Sequence, residues 1–218
     1  HHIDDQIQRF VNALELQQGL TQRETVFLFT SDHGDMCGDH QLYAKCQPYD
    51  GAARVPLLVR LPQSWNAPQR QVVDAPVELM DIMPTILDIA GAPVPETVDG
   101  ASLLPFLRGD TPAWREFVHG EVSAVPHLNS GMQYLTDGKR KYCWFPGIGL
   151  EQFFDLENDP RETVDLARDS NRASEIEMWR QRLVGELAGR PEGFTDGTRL
   201  LKLPGPTPRV LPGFENEA

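Results

Sequence analysis

The sequence of 218 residues predicts an α/β protein: a central, mostly parallel sheet, followed by a small antiparallel sheet packed on a helix. Three observations carry this. Strand-length apolar runs at residues 26–29 and 55–61 alternate with segments of helical period, the order of a βα architecture. Beyond about residue 110 the pattern changes to short alternating runs separated by turn signals, closed by one amphipathic helix. The first apolar run also ends abruptly in Ser31-Asp32-His33-Gly34-Asp35, and ligands in α/β proteins gather just beyond the carboxyl ends of strands.

The elements follow in order. Ile3, Ile7, Phe10, Val11 and Leu14 recur at helical spacing, giving a first helix that ends near Gly19. His1 and His2 read as exposed helix residues or a tag remnant. Val26–Phe29 forms a buried strand, and Val55–Leu61 a second, stopped by Pro62. Residues 81–91 read as a helix with Asp81 as N-cap, Pro84 in the first turn and Gly91 past the end. A Pro- and Gly-rich stretch from Gly91 to Gly109, with a helical piece near Leu103–Leu107, marks a boundary. Gln133–Thr136 and Lys141–Phe145 pair through a tight turn at Asp137-Gly138, and Phe117–Val122 and Gln152–Leu156 are further strands. Ile176, Trp179, Leu183 and Leu187 line one face of a last helix that ends at Gly189. Residues 191–218 hold five prolines and read as an extended surface tail. The expected division is therefore 1–110, 111–190 and 191–218.

Composition excludes several classes. A formal charge of −12 is unlike the Lys/Arg-rich faces of nucleic-acid binders. No run approaches the roughly 20 apolar residues that cross a bilayer. Cys37, Cys46 and Cys143 have no zinc-site spacing. A Cys37–Cys46 disulfide can be drawn, but free thiols are the simpler reading, and packing the simpler role for Cys37 and Cys46. The chain opens without Met and in mid-helix, from which an amino terminus upstream of His1 is expected.

The chemistry concentrates between residues 31 and 45. Asp32 offers oxygen ligands and His33 a nitrogen, and Gly34 allows the sharp turn that lets neighbours reach one ion. Lys45 supplies an ammonium suited to one oxygen of a tetrahedral anion. Asp39 and His40 can orient these groups from behind. Arg54 reads as structural or as an ion-pair partner near the site mouth.

In combination, the string Ser31-Asp32-His33-Gly34-Asp35-Met36-x-Gly38-Asp39-His40-x-Leu42-Tyr43-x-Lys45 closely resembles the C-terminal half of the sulfatase family, in the alkaline phosphatase superfamily. The likeness continues through Tyr49-Asp50, Ala53-Arg54-Val55-Pro56-Leu57, Asp81-Ile82-Met83-Pro84-Thr85, Asp99-Gly100-x-Ser102-Leu103 and Phe154-Asp155-Leu156-Glu157-Asn158-Asp159-Pro160-x-Glu162. It covers about residues 3–187. The resemblance implies part of an alkaline-phosphatase-like sandwich and hydrolysis of sulfate esters, in which a divalent cation activates a formylglycine made from Cys or Ser in C/S-x-P-x-R. Calcium is the implied ion, with manganese or zinc as alternatives, since imidazole leans toward them. Asp32 then matches a metal ligand, His33 the adjacent ligand position and Lys45 the catalytic lysine that contacts sulfate; His40 stands at a position taken as substrate-binding, its role equally a buried structural histidine or a donor that orients a ligand from behind.

No Cys or Ser in these 218 residues stands in C/S-x-P-x-R, so the expectation is a C-terminal fragment whose formylglycine and remaining ligands lie in a missing N-terminal half. The isolated chain is expected to be inactive. A phosphoester or phosphonate monoester hydrolase of the same superfamily is the alternative. The family is often exported, which leaves periplasm, exterior and cytoplasm all open.

Overall fold

The apolar periods of the sequence become two sheets of unequal size in the computed structural model, which describes residues 1–21, 24–123 and 131–204. The stripe of the first segment forms helix α1, His2–Thr21, with Asp4 and Asp5 in its first turn where the helix dipole favours negative charge. Its Phe10 ring lies 6.2 Å from Phe27, and Glu15 pairs with Arg60 at 2.6 Å. These contacts set α1 against strands β1 (Phe27–Thr30) and β2 (Leu57–Arg60).

The mostly parallel central sheet does not appear among the described residues. β1 and β2 pair antiparallel, Phe27 opposite Arg60 and Thr30 opposite Leu57. The cause lies in the connection. A parallel neighbour needs a crossover that carries the chain over the sheet, usually a helix. Residues 31–56 instead make a tight loop and one helical turn, α2 (Asp50–Ala53), which return the chain beside β1 in reverse.

Helix α3 spans Ile82–Ile89, with Pro84 in its first turn and Gly91 at φ 67° beyond its end. Asp81 stands at the expected cap position, but its side chain does not cap this helix. It accepts hydrogen bonds from the amides of Glu78 and Ala101 and takes a two-pronged guanidinium from Arg115 at 2.6 and 2.7 Å. Thr85 Oγ1 accepts from the Leu103 amide, which brings residues 99–103 and helix α4 (Leu104–Leu107) onto α3. Gly100 permits the approach: a Cβ there would stand 2.1 Å from the Met80 carbonyl oxygen.

The second sheet is an antiparallel meander of β3 (Val118–Val122), β4 (Met132–Thr136), β5 (Arg140–Phe145) and β6 (Leu150–Asp155). Three residues, Asp137–Lys139, join β4 to β5, one more than a two-residue Asp-Gly turn. The Asp137 amide donates to Arg140 O at 3.3 Å, and Asp137 Oδ1 accepts the amides of Lys139 and Arg140. Helix α5 (Ala173–Glu186) lays Ile176, Trp179 and Leu183, with Leu187 just beyond, onto Leu135, Tyr142 and Phe153. Each such fully buried side chain contributes about 1.5–3 kcal/mol. Phe194 and Leu203 enter the same core, so residues 191–204 clasp the sheet instead of trailing over the surface; the rest of the tail lies outside the described residues. All three cysteines are free thiols.

An acid-sensitive network closes the end of this sheet. Arg140 and Arg172 converge on Asp155 at 2.8 and 2.7 Å. Desolvation opposes its charge, yet hydrogen bonds from Asn158 and Arg172 and the charge of Arg140 hold the carboxyl below the usual range. A carboxylate depressed in the folded state contributes stability that is complete above its unfolded pKa and is lost as pH falls through the folded one. Urea midpoints are expected to drop below about pH 4, and Asp155→Asn to flatten that acid limb. A variant that keeps the full wild-type acid dependence would contradict this.

Candidate active site

Residues 31–46 follow β1 in a contorted backbone. Among the described residues eight non-glycine residues have positive φ, and five of them (Cys37, His40, Gln41, Ala44 and Cys46) fall in this one loop. Such conformations cost free energy and persist where surrounding structure imposes them, commonly at functional sites. Here the loop is closed on itself by Met36 N–H to Ala44 O and Gly38 N–H to Leu42 O, both 2.8 Å. Met36 is fully buried beneath it.

The loop sits on the turn α2. The Gly34 amide donates to Ala52 O at 2.8 Å, and a Cβ on Gly34 would lie 2.1 Å from Gly51 O. Only glycine allows this contact, which fixes the backbone on which Asp32 and His33 stand.

The structure brings three of the four sequence-derived residues together. His33 Nδ1 lies 2.8 Å from the carbonyl of Gly34, which can only accept, so Nδ1 carries the proton. His33 Nε2 then presents its lone pair, and the Lys45 ammonium donates to it at 2.7 Å. Asp32 Oδ2 stands 3.3 Å from the same Nε2. Two acceptors thus face each other with a cation at their side. Desolvation works against the Asp32 charge, but the hydrogen bond from the His33 amide at 3.0 Å holds its carboxyl below the usual range. Asp32 is exposed and also borders an apolar groove formed by Thr30, Ile82 and Met83.

His40 is elsewhere. Its ring stacks on Tyr49, centroids 4.1 Å apart and planes within 7°, and its Nε2 meets Arg161 O at 3.1 Å. Among the described residues no hydrogen bond or ion pair joins it to Asp32, His33 or Lys45, and it is exposed, not buried. Arg54 is exposed and pairs with Asp50 at 3.4 Å. Cys37 is exposed too, so packing is not its role. A hydrogen bond to Asp35 pushes its thiol pKa up, which keeps it protonated and a poor nucleophile.

The donor set suits a divalent cation in part. Cis ligands on an octahedral ion with bonds of about 2.3 Å are about 3.3 Å apart, which matches the Asp32–His33 separation. A ligating imidazole typically gives its other N–H to a carbonyl or carboxylate, as His33 does to Gly34. Among the described residues no group of three His, Cys, Asp or Glu is arranged around one ion, so these two are at most part of a coordination sphere.

Sequence reasoning missed the groups that hold this loop: Gly51 and Ala52 below Gly34, Tyr49 under His40, and the buried Lys141 with Glu162. The only signal was that Tyr49-Asp50 and the Asp159-Pro160-x-Glu162 string lie within the extended motif.

Comparison with known proteins agrees with the motif. Residues 1–92 match the family model for sulfatases. An arylsulfatase of Clostridium perfringens is 43% identical over 202 residues, 92% of this chain and 41% of that enzyme. A structure solved with its substrate D-glucosamine-2-N,6-O-disulfate superposes with a TM-score of 0.71 at 28% identity, covering 84% of this chain and 38% of that one. The phosphonate monoester hydrolase of Agrobacterium radiobacter gives 0.71 at 28% identity over 92% of this chain and 43% of its own. The chain spans 28–41% of the length of the first curated relatives it matches.

Proposed function

We infer, for a chain that belongs to the sulfatase family, that it carries the metal- and anion-binding part of a sulfate-ester hydrolase site. The observation that carries this is the meeting of Asp32 Oδ2 and the His33 Nε2 lone pair at 3.3 Å, with the Lys45 ammonium 2.7 Å from the same nitrogen. Asp32 and His33 would hold a divalent cation: calcium by family, manganese or zinc by the preference of imidazole. Such an ion would neutralise sulfate oxygens and activate the nucleophile. Lys45 would bind the ester anion as a point charge and steady the oxygen that leaves. His40 is assigned to holding the loop, which leaves the anion to Lys45.

The proposed enzyme is longer than this chain. The nucleophile, a formylglycine in C/S-x-P-x-R, and the remaining ligands would come from other polypeptide of the same enzyme, and these 218 residues alone would not turn over. Packing supports that reading. Among the described residues, twelve of the sixteen large apolar side chains left exposed precede residue 95, whereas nearly all the buried apolar core lies between Leu103 and Leu203. The first hundred residues therefore present apolar surface to a partner, which also supports dividing the chain near residue 110. Aryl sulfates are the proposed substrate class, from the 43% identical arylsulfatase.

The second reading is phosphonate monoester hydrolysis, favoured by the Agrobacterium structure and by a nitrogen ligand. Peptide mass spectrometry of the protein purified from its source, with turnover of 4-nitrophenyl sulfate and of a phenylphosphonate monoester before and after EDTA, tests both. An aldehyde-bearing Cys or Ser position and chelator-sensitive sulfate turnover are expected. An unmodified Ser or Thr nucleophile with phosphonate preference would move the assignment to the second reading. A mature protein of these residues alone, without turnover, would end both.

A further inference from the structure

Among the described residues, the most deeply buried cation lies outside the site. Lys141, in the middle of the C-terminal sheet, is 1% exposed and donates to Asp50 Oδ1 and Glu162 Oε1, each at 2.6 Å. Glu162 is itself 3% exposed, sits at φ 56°, and uses its second oxygen to accept the Asp50 amide at 2.7 Å. An ion triad buried this deeply rarely repays its desolvation as stability alone, and replacement by apolar residues is often neutral or better. What this one does is fix the first residue of α2 from both ends: side chain and amide.

From α2 an unbroken line of contacts runs to the site. Asp50 opens the turn whose Ala52 carbonyl accepts the Gly34 amide. The Gly34 carbonyl accepts His33 Nδ1–H, and His33 Nε2 faces Lys45 and Asp32. A second strap runs parallel: His40 on the Arg161 carbonyl and the Tyr49 ring, the residues next to Glu162 and Asp50. Both straps end on residues 159–162, where the Glu162 amide donates to Asp159 O at 3.0 Å. The backbone of residues 37–46 cannot hold five left-handed non-glycine residues by local preference, so its shape is imposed from outside, and these are the groups that reach it.

We propose that Lys141 and Glu162 are positioning residues: through Asp50 they hold the 31–46 loop, and with it the His33 tautomer and the Lys45 ammonium, in the active arrangement. Its structural part stands on the contacts above; its catalytic part rests on the assignment of Lys45 and His33 given under the proposed function.

Hydrogen exchange on the purified full-length protein separates the two. Glu162→Gln keeps the shape of the pocket but weakens its hold on Lys141 and Asp50. It is expected to speed exchange of the Gly34, Met36 and Gly38 amides at least tenfold, while the Tyr142 and Trp144 amides in β5 change less than twofold. Lys141→Met should give the same pattern more strongly; where that variant fails to fold, Glu162→Gln decides. His40→Phe keeps the stack on Tyr49 and loses only the Arg161 bond, so it should loosen Gly38 and leave Gly34 protected. In the activity arm, Glu162→Gln should lower kcat for 4-nitrophenyl sulfate at least tenfold with KM changed less than threefold. Uniform loosening of sheet and loop would reduce the triad to general stability and overturn the proposal, as would unchanged loop amides. Loop loosening in a protein whose wild type hydrolyses no sulfate ester would sustain the mechanical link and overturn the sulfatase assignment instead.

Discussion

Lys45→Ala is expected to lower kcat/KM for an aryl sulfate by about 10²–10³-fold, the range for loss of one preorganised donor to a developing oxyanion. In ester cleavage, charge grows on the leaving oxygen and on the transferred group, and a fixed ammonium stabilises that charge more than it stabilises the ground state. The loss should therefore fall mainly on kcat. Lys45 donates to His33 Nε2 at 2.7 Å, a lone pair that a bound cation would take, so its ammonium already stands at the site and turns to the anion when the ion binds. Lys45→Arg should recover little. The planar fork of guanidinium cannot replace a compact ammonium that grips a single oxygen of the anion. Steady-state kinetics on the purified enzyme, with circular dichroism to show an intact fold, reads the result. A loss confined to KM would recast Lys45 as a general anion anchor, and full activity in Lys45→Arg would remove the argument from geometry.

That Asp32, His33 and Lys45 lie close together was legible from the sequence because they fall within fourteen positions of one another; the roles proposed for them come from the resemblance. Asp32, His33 and Lys45 meet as expected. The groups that support them were not legible, because their link is tertiary. Lys141 reads as one more polar residue in a hairpin until the fold sets it against Asp50, 91 residues earlier. His40 misled for a related reason: adjacency to Asp39 suggests an inward second donor, but a left-handed backbone at φ 53° turns the ring to Tyr49. The hairpins of the second sheet and the face of α5 followed from period alone, since Ile176, Trp179 and Leu183 repeat at helical spacing and bury together. Strand direction in the first sheet did not, because period identifies a strand but says nothing of its partner, and the 31–56 connection looked long enough for a crossover.

Asp81→Ala is expected to cost about 3–5 kcal/mol of folding stability, the range for stripping one partner from a buried ion pair. Asp81 is fully buried, and four donors converge on it: two nitrogens of Arg115 and the amides of Glu78 and Ala101. The hydrogen bonds that Arg115 donates to Asp81 raise its pKa against the pull of desolvation, and arginine does not deprotonate in proteins, so the guanidinium stays charged when its partner is removed. Glu78, with one oxygen 3.2 Å from Arg115, offers only partial compensation, because it makes a single longer contact in place of two short hydrogen bonds. The consequence is directional. Asp81 joins three segments, the turn before α3, the Gly100 approach and the strand-leading stretch at Arg115, so its loss should separate the first hundred residues from the second sheet before that sheet melts. Urea denaturation followed by Trp179 fluorescence and by far-ultraviolet circular dichroism should then give two non-coincident transitions in Asp81→Ala. Asp81→Asn, which keeps the volume and one acceptor oxygen, should lose less and stay closer to coincidence. A change below 1 kcal/mol in Asp81→Ala would mean that water or Glu78 takes over the guanidinium, and that the two parts of the chain are held together by something other than this pair.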